Sequence, residues 1–173
     1  MLNSRIDAYD LLIQLGASPR LIRHVQLVGE AADVLVERYR SLGLAFDAQL
    51  IELGVVVHDA GKIRYPEELD GRGSRHEKAG EQLMRDHAVK PDVARCCVTH
   101  AAWAEEGLSL EERTVALADK LWRGKREAVL ELLIFDEVAR RLNVARWDIF
   151  DVMDLTFEDV AFGASERLAR SGV

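Results

Sequence analysis

The longest amphipathic pattern in the chain follows Ser18 and Pro19. Apolar residues recur there at helical spacing, and a proline suits the first turn of a helix because the N–H that it lacks would have no helical partner in that turn. The pattern predicts a helix that runs to about Ser41. His24 shares the apolar face of this helix with Val28, so we expect its imidazole to point toward the interior.

A second helix is predicted after Asp47, whose carboxylate can cap it. The valine run at 55–57 could also belong to a strand, but the length of the segment and the spacing of the apolar residues before the run favour a buried helix. His58 and Asp59 would end this helix. Gly61 follows closely, as a glycine commonly does after a helix C-terminus.

The remaining periodicity is also helical. Further helices are predicted from a capping box at Ser74 and Glu77 to about His87, from Pro91 to about His100, from a second capping box at Ser109 and Glu112 through Asp119, and over about 125–142, 147–154 and 157–170. Residues 63–73 are predicted to form the longest loop, which either gates a site or simply connects two elements. No segment shows the strict alternation of a half-buried strand, so the predicted fold class is all-α.

The length of 173 residues predicts a single domain over 1–173, because a chain of this size can bury roughly 70% of the surface that it exposes when unfolded. We expect the core over about 18–126 and packing helices over about 127–171. The apolar face of the C-terminal helices could also serve a homodimer.

Cys96 and Cys97 are adjacent, a spacing that fits neither a disulfide framework nor a CxxC motif. We therefore expect both thiols to be reduced and the protein to be cytoplasmic. The first ten residues are charged and lack a long apolar segment, so no signal peptide is expected, and no span is long enough and apolar enough to suggest a membrane contact.

The formal net charge of −7 would repel a nucleic-acid backbone, so long DNA or RNA is not expected as a partner. Two local runs of positive charge stand against this acidic background. They comprise Arg72, Arg75 and Lys78 in the first run, and Lys120, Arg123, Lys125 and Arg126 in the second. Such runs are commonly solvated helix faces, but a small phosphorylated partner would also explain them.

Four of the five histidines and two of the aspartates form a candidate metal-binding set. In chain order this set is His24, His58, Asp59, His76, His100 and Asp119. Imidazole nitrogens and carboxylate oxygens without thiolate suit Fe, Mn, Zn or Ni better than a structural cysteine-rich zinc site. Each residue alone is weak evidence, because a buried histidine bonded to the backbone is commoner than a metal ligand.

The string His58-Asp59-Ala60-Gly61-Lys62 resembles the HD-domain superfamily of metal-dependent phosphohydrolases. The signature of that family is a distant first His, a His-Asp pair often continued as x-Gly-Lys, and a later Asp commonly preceded by Ala. His24 and the pair Ala118-Asp119 match the other two parts, and the resemblance covers about 20–126. It implies an HD-type helical bundle with the metal site between helices, in which the matching histidines and aspartates hold a divalent transition metal.

His76 and His100 lie between the His-Asp pair and the last Asp, as in family members that hold two metals. The text that starts at His76 looks like the His-x-x-x-Gly helix start of those members. The resemblance therefore implies two ions, Fe or Mn, with Zn, Ni, Co or Mg as alternatives and Asp59 as the bridge. A site with one metal and two additional pocket histidines is the other interpretation.

This resemblance implies a metal-dependent phosphohydrolase that acts on a nucleotide or another small phosphorylated metabolite, with water as the nucleophile. Asp59 and Lys62 are the predicted catalytic residues, since the Lys62 ammonium can neutralise charge on a transferring phosphate. The alternative for Lys62 is a solvated lysine after a helix end. The other predicted substrate contacts are Arg75, Lys120, Arg123 and Arg126.

Two subgroups of the superfamily match only in part. The cyclic-dinucleotide phosphodiesterases are similar around 61–69, but they carry a second His where Ala101 follows His100 here. The symmetrical diadenosine-tetraphosphate hydrolases share the ligand layout and differ after Asp119. Dinuclear-iron oxygenases with the same ligand set, and non-catalytic sensors of phosphorylated ligands, are the competing classes, and the substrate stays open.

Overall fold

The computed structural model describes residues 2–172, and helices are the only regular secondary structure in that range. The nine α-helices of this range are α1 (Arg5–Gln14), α2 (Pro19–Ser41), α3 (Ala48–Val57), α4 (Arg75–Asp86), α5 (Pro91–Thr99), α6 (Leu110–Leu121), α7 (Ala128–Leu142), α8 (Arg146–Phe162) and α9 (Ala164–Arg170). Two short 3-10 helices, Ala60–Ile63 and Pro66–Leu69, lie between α3 and α4. The all-α prediction is confirmed.

Side-chain caps fix the starts of the helices that carry candidate ligands. The Ser18 hydroxyl accepts a hydrogen bond from the backbone of Leu21 at 3.1 Å, and the Asp47 carboxylate accepts one from the backbone of Leu50 at 3.0 Å. Ser109 forms the predicted capping box with Glu112. These caps satisfy backbone N–H groups that have no partner inside the helix, so they set where α2, α3 and α6 begin.

The predicted capping box at Ser74 is wrong, because its side chain makes no capping hydrogen bond. Residues 63–73 are not a structureless loop either. They include the short helix Pro66–Leu69, which carries Glu68 back to the start of α4. The Glu68 carboxylate accepts hydrogen bonds from the backbone N–H groups of Arg75 and His76 and takes the place of the predicted cap.

The C-terminal helices differ from the prediction in their boundaries. Residues 147–154 and 157–170 were predicted as two helices, but α8 continues through Thr156 and the break comes at Gly163. The Thr156 hydroxyl donates to the carbonyl of Val152 in the preceding turn, so this polar residue does not interrupt the helix. Helix α1, which begins with a capping box at Ser4, was not predicted because its pattern is only weakly amphipathic.

The core lies between α2, α3, α5 and α6. The valines at 55–57 are fully buried, as are Val25 on α2, Cys96 on α5 and Leu117 on α6. Burying one such aliphatic side chain contributes about 1.5–3 kcal/mol. Because the ends of these same helices carry candidate ligands, the energy of the core also fixes the positions of those ligands.

A contact between two glycines joins the segment after α3 to α4. A Cβ atom on Gly61 would overlap the carbonyl oxygen of His76 and would lie 2.7 Å from the backbone nitrogen of Gly80. A Cβ atom on Gly80 would lie 2.8 Å from the backbone nitrogen of Gly61. Only residues without a side chain allow this approach of backbone to backbone. The contact places Asp59 and Lys62 beside the first turn of α4.

Within residues 2–172, no helix combines the length and the apolar character that crossing a membrane requires.

Candidate metal centre

All six predicted ligands converge on one place in the fold. They form two groups that share Asp59, and within each group one ligand atom per residue lies within 4.8 Å of the others. The first group consists of His24, His58, Asp59 and Asp119, and the second of Asp59, His76 and His100. His24 comes from α2 and Asp119 from α6, while His58 and His100 follow the last residues of α3 and α5.

The first group surrounds oxygen Oδ2 of Asp59. His24 Nε2 lies 2.9 Å from this oxygen and His58 Nε2 lies 3.4 Å from it. His58 Nε2 also lies 3.3 Å from Oδ1 of Asp119. Two ligands that each stand about 2.0–2.1 Å from one ion are separated by roughly 3 Å, so these spacings suit a shared cation.

The second group surrounds the other carboxylate oxygen of Asp59. Oδ1 lies 3.3 Å from Nε2 of His76 and 3.7 Å from Nε2 of His100. Each oxygen of Asp59 therefore faces a different pair of histidines. The carboxylate of Asp59 is thus shared by the two groups.

Four ligand atoms of this centre are buried and have no hydrogen-bond partner among the described residues. They are Nε2 of His24, of His58 and of His76, and Oδ1 of Asp59. An unpaired buried polar group costs about 1–3 kcal/mol. These unpaired nitrogen and oxygen atoms are of the kinds that bind divalent cations. Their concentration in one place fits a site that holds such cations.

Three of the four histidines of the centre use Nδ1 to contact an oxygen that can only accept. His58 Nδ1 lies 2.9 Å from the carbonyl of Val55, and His100 Nδ1 lies 3.0 Å from the carbonyl of Cys96. Nδ1 must therefore carry the hydrogen, and in a neutral ring Nε2 then presents its lone pair to the centre. Trp122 packs its edge against the His24 ring, with 5.1 Å between ring centroids, and orients the fourth histidine.

Glu68 orients His76 and was not recognised from the sequence. Its Oε2 accepts a hydrogen bond from Nδ1 of His76 at 2.6 Å, and Arg75 Nε donates to its Oε1 at 3.2 Å. Burial disfavours the charged form of Glu68, but the hydrogen bonds from His76 and Arg75 have the larger effect and lower the pKa of Glu68 to about 2. The side chain is therefore an anion that fixes the His76 ring. Glu68 stands between Glu67 and Leu69, a context that gives no signal of this role.

The protonation of the centre is set by burial and by the two aspartates. Burial, together with the neighbouring His58, lowers the pKa of His100 to about 4, so this ring is neutral. Burial also disfavours the charged form of His58. The negative charges of Asp59 and Asp119 have the larger effect and raise the pKa of His58 to about 10. Burial would raise the pKa of Asp59, yet the surrounding histidines hold it well below its usual range. Divalent ions would displace the histidine protons, because coordination needs the neutral ring.

The predicted cations divide into those at the centre and those elsewhere. Lys62 is only 15% exposed and donates to Oδ2 of Asp59 at 2.7 Å, so it is not a solvated lysine. Lys120 and Arg123 line the cleft next to the metal groups. Arg126 does not reach it: the chain turns at Gly124, and the guanidinium instead binds Glu131 and Asp154.

Arg75, another predicted substrate contact, is also turned away from both metal groups. It binds Glu67 and Glu68 and lies over the Tyr65 ring, 4.4 Å from the ring centroid. Its position in the sequence next to His76 does not bring it to the centre, because the first turn of α4 points the two side chains in different directions.

Two cavities meet at the centre. The inner cavity has a volume of about 160 Å³ and is lined by His24, Trp122, Arg20 and Ser171, among others. The outer cleft is open to solvent, has a volume of about 460 Å³ and includes the loop at 70–73. The residues that line both cavities are Asp59, Lys62, Leu69, Asp119 and Arg123. A molecule bound at the metal groups can therefore extend in two directions.

Comparison with known protein families identifies the class of this protein. The family model described as "HD domain" matches residues 21–124, which is more than half of the chain and includes every ligand of both groups. The chain therefore belongs to the HD-domain family. Members of this family are generally metal-dependent hydrolases, and the two ligand groups are where this chain could hold divalent metal.

Among curated proteins, the chain is similar to a tRNA (cytidine(56)-2'-O)-methyltransferase of Thermoplasma volcanium. The two are 26% identical over 140 residues, which cover 72% of this chain and 38% of the methyltransferase. The match thus spans well under half of that relative's length. No solved structure matches the chain.

Proposed function

We propose that this protein is a metal-dependent phosphohydrolase that cleaves a phosphate ester or anhydride of a nucleotide or another small phosphorylated metabolite. The proposal rests on the surroundings of the Asp59 carboxylate. Its two oxygens face separate histidine pairs, and the ammonium of Lys62 lies 2.7 Å from oxygen Oδ2. Paired cation sites next to a positive side chain are suited to phosphate chemistry.

Each ligand group would hold one ion. His24, His58, Asp59 and Asp119 would bind the first, and Asp59 as the bridge would bind the second together with His76 and His100. Nitrogen and oxygen donors without thiolate favour Fe or Mn. When bound, such ions lower the pKa of water and polarise a phosphoryl oxygen.

The side chains around the ions would bind and orient the phosphate. Lys62 would leave the Asp59 carboxylate, whose charge the ions neutralise, and would accept the negative charge of the phosphate. Lys120 and Arg123 on the cleft wall would hold the rest of the substrate. Burial lowers the pKa of Lys120, but it stands next to Asp119, which supports its charged form.

The size and charge of the site support a small substrate. The outer cleft of about 460 Å³ has the dimensions of a metabolite site, which usually measures about 300–1,000 Å³. The net charge of −7 disfavours a long nucleic acid. Lys62, Arg72, Lys120 and Arg123 line the cleft, where they would attract a phosphate once ions neutralise Asp59 and Asp119.

The test is metal analysis of the protein as purified, followed by a screen for phosphate release from nucleotides and sugar phosphates with Mn or Fe(II). We expect phosphate release without oxygen, and we expect it to disappear in Asp59→Ala but to persist in His87→Ala. His87 is the matched control, because it is the one histidine outside both ligand groups and is exposed at the end of α4.

Two results would overturn the proposal. Turnover that requires oxygen would assign the centre to an oxygenase, the competing activity that this ligand set also supports. Tight binding of phosphorylated compounds without any turnover, by protein that contains its metals, would make the protein a sensor.

A further inference from the structure

Helix α8 carries a stripe of exposed residues on the side that faces away from the core. Its opposite side is buried through Ile149, Met153 and Phe157. The exposed residues recur at spacings of four, four, three and four, which places them in one line along the helix. We call these residues the α8 stripe: Trp147, Asp151, Leu155, Glu158 and Phe162.

The apolar members of the α8 stripe are large side chains that face solvent. Trp147 is 73% exposed, Leu155 58% and Phe162 89%. Single exposed apolar residues are ordinary, but large ones in line along a helix are typical of a face that binds another protein. None of the five stripe residues, all of which are described, lines either cavity of the metal centre. The stripe is therefore separate from the proposed active site.

The charge of the helix around these apolar residues is almost entirely negative. Helix α8 contains five acids and one cation, and that cation, Arg146, is paired with Asp136 on α7. Within residues 2–172, Asp151 has no ion-pair partner and Glu158 has one only at 4.0 Å. The negative charge of the stripe is thus left open to a partner.

These charges disfavour a second copy of the chain as the occupant of the stripe. If two α8 stripes packed antiparallel about a two-fold axis, Leu155 would meet its own copy and Asp151 would lie opposite Glu158. A parallel pair would place each acid opposite its own copy. Like charges that face each other across an interface are strongly unfavourable, whereas an occupant with positive charge at these positions would be attracted.

We propose that the α8 stripe is a docking site for a basic amphipathic helix of another protein. Apolar side chains of that helix would cover Trp147, Leu155 and Phe162, and lysines or arginines between them would face the two acids. At 1.5 Å per residue, the distance along α8 from Trp147 to Phe162 is about 23 Å, so a helix of about four turns covers the stripe. This inference is independent of the proposed activity.

The experiment uses the full chain and two synthetic peptides of identical leucine and lysine content. In one peptide the leucines form a single helical face that lysines flank, and in the other the order is scrambled so that no apolar face forms. Tryptophan fluorescence follows binding, because neither peptide contains tryptophan and Trp147 is exposed whereas Trp122 is buried. We expect the amphipathic peptide to bind and to shift the emission to shorter wavelength. The scrambled peptide should bind about tenfold more weakly or less.

Variants of the stripe locate the binding site, with affinities measured by calorimetry. Trp147→Ala and Phe162→Ala should each weaken binding of the amphipathic peptide about tenfold, since aromatic anchors commonly dominate an interface. Asp151→Asn combined with Glu158→Gln should lower the affinity at low salt and make it less dependent on salt. Ile6→Ala is the matched control, because Ile6 is 70% exposed on α1 and should contribute nothing. Circular dichroism checks that every variant is folded.

The proposal is overturned if the two peptides bind alike, because net charge alone would then explain the attraction, or if neither binds. Equal effects of Trp147→Ala and Ile6→Ala would also overturn it. Light scattering tests the other occupant: a mass that doubles as the protein is concentrated, and that stays monomeric in Phe162→Ala, would assign the stripe to a second copy of the chain. Phosphate release is not part of this test, so the two proposals can fail separately.

Discussion

The two ligand groups of the metal centre are held in different ways. In the first group, His24 lies on α2 and Asp119 on α6, while His58 directly follows α3, and these three helices enclose the core. In the second group, His76 lies in the first turn of α4 and its ring is fixed by Glu68, which belongs to the short helix Pro66–Leu69 at the surface. Helices of the apolar core thus position the first group and also His100 of the second group, whereas the ring of His76 depends on one hydrogen-bonded carboxylate.

This difference indicates an order of metal affinity. Moving a ligand of the first group would disturb the core, whereas loss of the Glu68 contact would release the ring of His76 while the contact between Gly61 and Gly80 keeps the backbone of α4 in place. We therefore expect the first site to retain its ion through purification and the second to exchange. Four substitutions would break or sharpen this comparison.

The largest effect is expected from Asp59→Ala, because both groups share this carboxylate. The variant should lose both ions and all measurable turnover. Metal content per protein, measured by mass spectrometry after desalting, checks the first part. Retention of one full equivalent of metal would show that Asp59 is no bridge, and His87→Ala, which should bind metal like the wild type, is the control.

His76→Ala should separate the two sites. It removes a ligand of the second group alone, so metal content should fall from two equivalents to one while the protein stays folded. Circular dichroism and metal analysis of the same sample check this expectation. Equal metal content in the wild type and in His76→Ala would instead favour a site with one metal and two additional pocket histidines.

Lys62→Met keeps the length of the side chain but removes a charge that belongs to neither group of metal ligands. Metal content should be unchanged, and kcat and kcat/KM should both fall by about one to three orders of magnitude, since the ammonium would contact charge that grows in the transition state. Lys78→Met, at an exposed position of α4, is the control. A wild-type rate in Lys62→Met would leave Lys120 and Arg123 as the phosphate-binding cations.

Glu68→Gln should have the smallest effect and the most selective one. The amide keeps the shape of the side chain but no longer offers a charged acceptor to Nδ1 of His76, and loss of such a partner typically weakens metal binding about 10–100-fold. A Mn titration followed by electron paramagnetic resonance should show this loss for the second ion only. Glu67→Gln, which changes the exposed neighbour, should leave both affinities alone, and an equal loss at both sites would contradict the comparison.

The helices and the clustering of the candidate metal ligands were easier to predict from the sequence than the contacts between distant segments. His24, His58, Asp59 and Asp119 could be named as candidates because each lies in a short stretch that resembles a part of the HD-domain signature. Pro19 in the first turn of α2 and the caps at Asp47 and Ser109 likewise placed three helix starts correctly. Ser74 failed as a cap because a competitor, Glu68, reaches the same N–H groups from another element.

The predicted substrate contacts show the limit of reasoning from neighbours in sequence. Arg126 follows Asp119 closely in the chain, but its partner Asp154 is 28 residues away and holds it elsewhere. Arg20 was not singled out, because nothing near it in sequence indicates that it shares a cavity with Arg123. These positions depend on the turn at Gly124 and on the packing of α2 against α6, which no short pattern encodes.

The contact between Gly61 and Gly80 limits which positions near the candidate metal centre can be substituted. Even the smallest side chain at Gly61 would collide with the backbone of α4, so the spacing between Asp59 and His76 cannot be adjusted by gradual substitution. The cations on the cavity walls, such as Arg20 and Lys120, have no comparable constraint. Variant libraries that randomise these walls and leave both glycines untouched would therefore alter substrate preference while the spacing of the metal ligands stays constant.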